Sequence, residues 1–235
     1  LHLVYQCSLS LLFLQDMVCT KDSLPTRIWL TLGTITMINS LYLGPKYDLS
    51  HIEGENVHSM DVAKLIEDRK IVAIFQGRSE AGPRALGNRS ILYDPRDPEG
   101  KDIINLVKNR EPFRPFACSV LLHHAHNWFD MGGLTESPFM MYAVNAQPHT
   151  YDKIPAVLHV DKTCRVQTVS LTDNENYFRL IDAFYQRTKT PLLFNTSFNL
   201  SGEPLVETPE DAIDTFESSA IDYLYFPEVQ KLRGK

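Results

Sequence analysis

The sequence predicts an α/β domain, on three observations. Apolar runs of strand length alternate with segments whose apolar residues recur at helical spacing. Turn formers, chiefly Gly, Pro, Asn and Asp, separate most of these segments. The composition is that of a folded chain: 43% hydrophobic and 22% charged, with 11 Gly and 14 Pro in 235 residues. Collagen-like repeats, coiled coil and wholesale disorder are thereby excluded.

Taken in order, the elements begin at Ser59, a plausible N-cap for a helix over Asp61 to Lys70. Val62, Leu65 and Ile66 form its apolar stripe, and Arg69 and Lys70 fall in its last turn, where cations complement the helix dipole. Ile71 to Gln76 reads as a buried strand and runs straight into the Gly- and Arg-rich segment Gly77 to Ser90. A short apolar run, Ile91 to Tyr93, comes next. Ile103, Ile104 and Val107 then give helical spacing over Gly100 to Arg110, and Phe116 to Leu122 reads as a strand. A long loop from Ser137 to Pro155 holds a strand near Met140 to Asn145. A strand at Val166 to Leu171, a helix at Glu175 to Thr188 and a strand at Pro191 to Phe194 follow. The last helix opens with Thr208 as N-cap, Pro209 at its first position, and acids at Glu210 and Asp211, each of which favours a helix start. Tyr223 to Phe226 is the closing strand.

The alternation defines a domain at 46–228, with 229–235 as a tail and a boundary near Gly44-Pro45. Residues 1–45 do not share its rhythm. Leu1 to Leu14 is apolar but lacks a basic flank and a small-residue cleavage site, and it is short of the roughly 20 apolar residues that span a bilayer. It reads as a buried strand or helix.

The formal net charge is −6, which argues against a protein that coats DNA or an anionic membrane. Any anion site must be a local concentration of positive charge. Cys7, Cys19, Cys118 and Cys164 fit neither a zinc pattern nor a dense disulfide framework, and a reducing cytoplasm is the simplest setting.

That local concentration is present. Between Arg78 and Arg114 lie six of the chain's 12 arginines with Lys101 and Lys108, against six acids. Arginine's fork of donors grips two oxygens of a phosphate or carboxylate at once. Arg78, Arg84 and Arg89 stand among Gly77, Gly82 and Gly87, so backbone amides there can approach an anion closely. A Walker P-loop is rejected, because Pro83-Arg84 and Asn88-Arg89 occupy the places of its Lys-Ser/Thr. In REPFRPFA, Pro112 and Pro115 stiffen a segment that Phe113 and Phe116 anchor in the core, presenting Arg110 and Arg114. In RVQTV, alternation puts Arg165, Gln167 and Val169 on one strand face. An arginine there is costly unless it is paired or stands at the strand end. FNTSFNLSGEP follows a strand and carries Asn195, Thr196, Ser197, Asn199 and Ser201, which hydrogen-bond phosphate or amide-like groups or simply build a turn.

Other features are discounted. His123, His124 and His126 lack a matching carboxylate spacing for metal, and Cys118 and Cys164 read as small buried hydrophobes. No Gly-x-Ser-x-Gly elbow is present.

Together, GRSEAGPRALGNRSIL, REPFRPFACSVL, AVLHVDKTCRVQTV and FNTSFNLSGEPLVETPEDA resemble, in order and spacing from about Tyr42 to Phe226, the C-terminal domain of the carbamoyltransferases. That family includes nodulation and antibiotic-tailoring O-carbamoyltransferases. The resemblance implies a YrdC/Sua5-like twisted open mixed sheet with flanking helices and a positively charged concave face. It implies a module that binds ATP and carbamoyl phosphate, with Mg, and forms carbamoyl-adenylate, phosphate and pyrophosphate. A Kae1-like domain, N-terminal in the family, transfers the carbamoyl group to a hydroxyl and holds the metal of that step.

By the same resemblance Arg84, Arg114 and Arg165 grip phosphate and Asn195 lies near the nucleotide or carbamoyl group. Arg78, Ser197 and Asn199 are further contacts, and Glu80 orients an arginine. Residues 1–45 are then a divergent remnant or linker from the Kae1-like domain. Pro25 to Gly44 carries Leu32-Gly33 but no acid where that domain's Asp-x-Gly metal ligand is expected. The expected partners are small-molecule substrates and a separate Kae1-like domain or subunit, with neither DNA nor a membrane. The competing reading is a non-catalytic nucleotide- or RNA-binding module on the same scaffold.

Overall fold

The computed structural model describes Tyr42, residues 44–80 and residues 82–235. Of the expected remnant 1–45, only Tyr42, Gly44 and Pro45 are among them; the rest, including Leu1 to Leu14 and Leu32-Gly33, lies outside the described residues.

Among the described residues, ten strands form one open mixed sheet: β1 (Glu55–Asn56), β2 (Val72–Phe75), β3 (Arg89–Tyr93), β4 (Ala117–Leu121), β5 (Phe129–Asp130), β6 (Ala143–Ala146), β7 (Thr163–Val169), β8 (Leu192–Ser197), β9 (Tyr223–Phe226) and β10 (Lys231–Gly234). Their spatial order is β1-β10-β9-β2-β3-β8-β4-β7-β6-β5. The β2–β9 and β4–β7 pairs are parallel, and the remaining pairs are antiparallel. Five helices accompany them: α1 (Ser59–Glu67), α2 (Gly100–Val107), α3 (Ala125–Trp128), α4 (Glu175–Thr188) and α5 (Pro209–Ser218). Among the described residues, no helix is long and apolar enough to cross a membrane.

Side-chain alternation sorts the sheet into two cores. Along β2, Val72 and Ile74 pack with Val62 and Ile66 of α1 and Leu180 and Phe184 of α4. Ala73 and Phe75 point the other way, to a larger core holding Ile104 of α2 and Ala212 and Phe216 of α5. With helices over both faces, β2 has no polar side, and its four residues are all buried. The helix ends follow local chemistry. Thr208 Oγ1 accepts from the Asp211 amide at 3.1 Å while the Asp211 carboxylate accepts from the Thr208 amide at 2.9 Å, a reciprocal cap. Asn174 caps α4 by accepting from the Tyr177 amide.

Three expectations are corrected. His58, not Ser59, is the N-cap of α1, with its amide donating to Asp61. The expected tail carries β10, which pairs with β1 and β9. Phe113 does not anchor its loop; it is 77% exposed, whereas Phe116 is buried against Phe194 at a centroid distance of 4.5 Å. Phe194 also meets Tyr93 edge-on, and it fixes β8 one residue before Asn195. Truncating such a buried aromatic costs about 3–5 kcal/mol.

Candidate functional site: an arginine cleft beside the β2–β3 turn

The segment between β2 and β3 is held by side chains of β7 and β8 and by its own Gln76 and Glu80. Its successive carbonyls at Ala85, Leu86 and Gly87 accept from Asn195 Nδ2 (3.1 Å), Gln167 Nε2 (2.9 Å) and Gln76 Nε2 (2.8 Å). Glu80 Oε1 accepts from the Leu86 and Asn88 amides, both at 2.7 Å. Gly87 is required at its place: its φ is +102°, and an added Cβ would lie 2.2 Å from the Tyr177 ring. Burial pushes the Glu80 carboxyl up to about 7 against the lowering effect of those amides and of Arg89. Glu80 therefore shapes the turn that carries Arg84 from behind, and its Oε2 is buried without a partner.

The sheet register assembles the rest. Ala117 of β4 stands opposite both Asn195 of β8 and Arg165 of β7, so these three side chains share one face at one end of the sheet. Pro83, Arg84 and Ala85 of the turn, Arg110 and Pro115 of the α2–β4 connection, Met140, Thr196 and Ser197 complete a cleft of about 110 Å³. Among the described residues three guanidiniums line it, and no carboxylate does. Arg84 and Arg165 each have a buried Nε without a partner, an expensive condition for a charge-bearing group. Burial and then the Arg84 charge lower the Arg165 pKa. Burial and the charge of Arg114 bring Arg110 down to about 10, Glu111 opposing and Arg165 adding to the fall; it remains a cation at neutral pH. Arg110 is positioned by Asn105, which accepts from its Nε at 2.7 Å, and by the Phe116 ring 4.1 Å beneath it. A larger hollow of about 740 Å³ at β1 and β10 is lined by charges of both signs, Glu53 and Glu55 with Arg233 and Lys235. That mixture offers no comparable field.

Of the residues expected from sequence, Arg84, Arg165, Asn195 and Ser197 line the cleft together. Arg114 does not: it is ion-paired with Glu111 at 2.8 Å and half exposed. Arg78 donates to the Gly44 carbonyl on the surface. Arg89, grouped with the anion-binding turn by sequence, is a buried residue of β3. Its guanidinium donates to the Gln76, Gly77, Asn88 and Glu207 carbonyls and lies 3.6 Å over Phe75. Asn199 stands behind Ser197, whose hydroxyl donates to it at 2.7 Å.

The sequence places Lys108 in the positive window but gives it no role of its own. It is 3% exposed, and its Nζ donates to the Ser197 carbonyl, Ser197 Oγ and Asn199 Oδ1. Burial, and secondarily the Arg110 charge, bring its ammonium down to about 7. A signal existed: Lys108 stands four residues after Ile104, on the apolar stripe of α2, where a lysine needs a buried partner.

The family model described as Carbamoyltransferase C-terminus matches residues 63–231. The chain belongs to the carbamoyltransferase family. It is 46% identical over 178 residues to nodulation protein NolNO of Sinorhizobium fredii, covering 74% of this chain and 26% of that protein. It is 48% identical over 156 residues to nodulation protein NolO of Bradyrhizobium diazoefficiens, covering 66% and 28% respectively. The chain thus spans about a quarter of the length of these relatives. Among solved structures it is similar to T. kodakarensis HypF, with a TM-score of 0.51 at 20% identity over 74% of this chain and 21% of that one. That likeness is one of fold, and the carbamoyltransferase domain has the expected YrdC-like open α/β sheet.

Magnesium, expected with ATP, does not fit the side chains present. No carboxylate lines the cleft, and among the described residues no three His, Cys, Asp or Glu gather as a metal site. His123 and His124 instead pack in tilted contact with each other, and His124 also with Tyr185, at ring-centroid distances of 4.4 Å. Cys118 and Cys164 are fully buried thiols.

Proposed function

We propose that this carbamoyltransferase domain binds ATP and carbamoyl phosphate, with carbamoyl phosphate and the reacting phosphates of ATP at the arginine cleft and the nucleoside outside it, and forms carbamoyl-adenylate. One observation carries the reading: three guanidiniums converge with no carboxylate to neutralise them, two with unpartnered buried Nε atoms. Such a site is preorganised for phosphate oxygens, because the donors are already desolvated and aimed before the ligand arrives. Atom balance requires a water: carbamoyl phosphate is hydrolysed to carbamate and inorganic phosphate, the carbamate oxygen attacks the α-phosphorus of ATP, and pyrophosphate leaves. Charge accumulates on the equatorial and leaving oxygens as that bond forms, and Arg84, Arg110 and Arg165 supply the opposing charge. Ser197, held by Lys108 and Asn199, adds a neutral hydrogen-bonding group to the same wall. Transfer to a hydroxyl acceptor belongs to a Kae1-like domain, and the cytoplasm is the setting in which ATP meets the protein.

The test is pyrophosphate release from ATP by the 235-residue chain. Release should require carbamoyl phosphate and fall at least about 100-fold in Arg84→Ala, with an unchanged melting profile. Release that ignores carbamoyl phosphate, or near-normal release by Arg84→Ala, would overturn the assignment.

A further inference from the structure

One residue lining the cleft, Asn195, carries an acceptor that the fold leaves unsatisfied. Asn195 is 1% exposed, and its Nδ2 is committed to the Ala85 carbonyl and to Ser119 Oγ at 2.8 Å, with Gln167 Oε1 at 3.3 Å. Among the described residues its Oδ1 is buried with no partner. The amide cannot be turned round to relieve this. The Ala85 carbonyl only accepts, so it must face the Asn195 NH₂. Gln167 is locked in the same way: its Nε2 donates to the Leu86 carbonyl, which leaves its Oε1 to accept from Ser119 Oγ at 2.6 Å. The chain of hydrogen bonds therefore has a fixed direction, and it ends at an unsatisfied carbonyl-type oxygen on a residue that lines the arginine cleft.

A plain acyl phosphate such as acetyl phosphate, which at neutral pH has no hydrogen-bond donor, satisfies the arginines and leaves Asn195 Oδ1 orphaned. A ligand satisfies both when it carries an N–H donor within a bond or two of its anionic group. The adenine amino group is too far from the nucleotide's phosphates for both needs to be met in a cleft of about 110 Å³. The amino group of carbamoyl phosphate meets the requirement.

We infer that Asn195 is a specificity-determining residue, its Oδ1 accepting from the carbamoyl NH₂ and thereby selecting carbamoyl over acetyl phosphate. This rests on the reading that the cleft binds carbamoyl phosphate. The physical basis is that a site built around a buried acceptor rejects the ligand lacking the matching donor, because the acceptor is then left desolvated and unpaired.

The experiment is calorimetric titration of the full chain with carbamoyl phosphate, acetyl phosphate and inorganic phosphate. The wild-type chain should prefer carbamoyl over acetyl phosphate by at least roughly tenfold. In Asn195→Ala that ratio should fall to within about threefold of unity. Equal affinities for the two acyl phosphates in the wild-type chain would overturn the role of Asn195 while leaving the anion site standing, and this arm needs no variant to fold. An undiminished ratio in a folded Asn195→Ala would overturn it equally. Failure of all three ligands to bind would overturn the reading of the cleft itself, and the inference with it.

Discussion

Two partly buried arginines of this chain have opposite fates. Arg96 closes on Asp94 through its Nε and Nη2, at 2.6 Å for the shortest contact, and that hydrogen bond raises its pKa. Arg165 has no carboxylate in its cleft, a buried Nε without a partner, and a pKa lowered by burial and by Arg84. The first has its counterion inside the fold; the second lacks one among the described residues. A half-buried cation without a counterion is tolerated where an anion from outside completes it. Arg89 stands between the two: its Nε too is buried without a partner and burial lowers its pKa, but its terminal nitrogens reach four carbonyls, whereas among the described residues Arg84 reaches that of Pro83 alone. Charge in the sequence window therefore says less than charge left over after the fold has made its pairs.

The comparison can be broken at several points. The largest effect is expected beneath the turn that carries Arg84. The Glu80 carboxyl is raised from 4.5 to about 7, so the folded state binds the extra proton and stability falls as pH rises from about 4.5 to about 7. The loss amounts to roughly 3 kcal/mol over that window. Denaturant melts at pH 5 and pH 7.5 should show it in the wild-type chain and lose it in Glu80→Gln; a wild-type chain equally stable at both would remove Glu80's burial from the account. Arg96→Ala strips a buried Asp94 of its partner and should cost about 2 kcal/mol of stability, with ligand affinity untouched. Arg114→Ala, which breaks only an exposed pair with Glu111, should change stability by less than about 1 kcal/mol and carbamoyl phosphate affinity by less than about threefold. A large loss of affinity there would return Arg114 to the site.

Much of the fold was legible because burial imposes a pattern. The bounds of α4 and β9 agree with the expected Glu175 to Thr188 and Tyr223 to Phe226, since a long amphipathic helix and an uninterrupted YLYF leave little choice. β1, β5 and β10 were not read, because Glu55–Asn56, Phe129–Asp130 and Lys231–Gly234 are short and mostly charged or polar, with no period to detect. They are strands by virtue of their neighbours. In the site, Arg84, Arg165 and Asn195 stood in long recognisable motifs. Arg110 and Arg114 were offered together by one motif, and what separates them is tertiary: Asn105 and the Phe116 ring hold Arg110, whereas Glu111 takes Arg114. Lys108 was hidden by its type, since a lysine ending a helix ordinarily faces water.

The central claim is that the uncompensated guanidiniums, not the positive window as a whole, make the anion site. Calorimetric titration with carbamoyl phosphate of the wild-type chain, Arg165→Ala and Arg96→Ala at pH 7 tests it directly. The account predicts a loss of at least about 100-fold in affinity for Arg165→Ala and a change of less than about twofold for Arg96→Ala. Comparable losses in both variants, or undiminished binding by a folded Arg165→Ala, would contradict it.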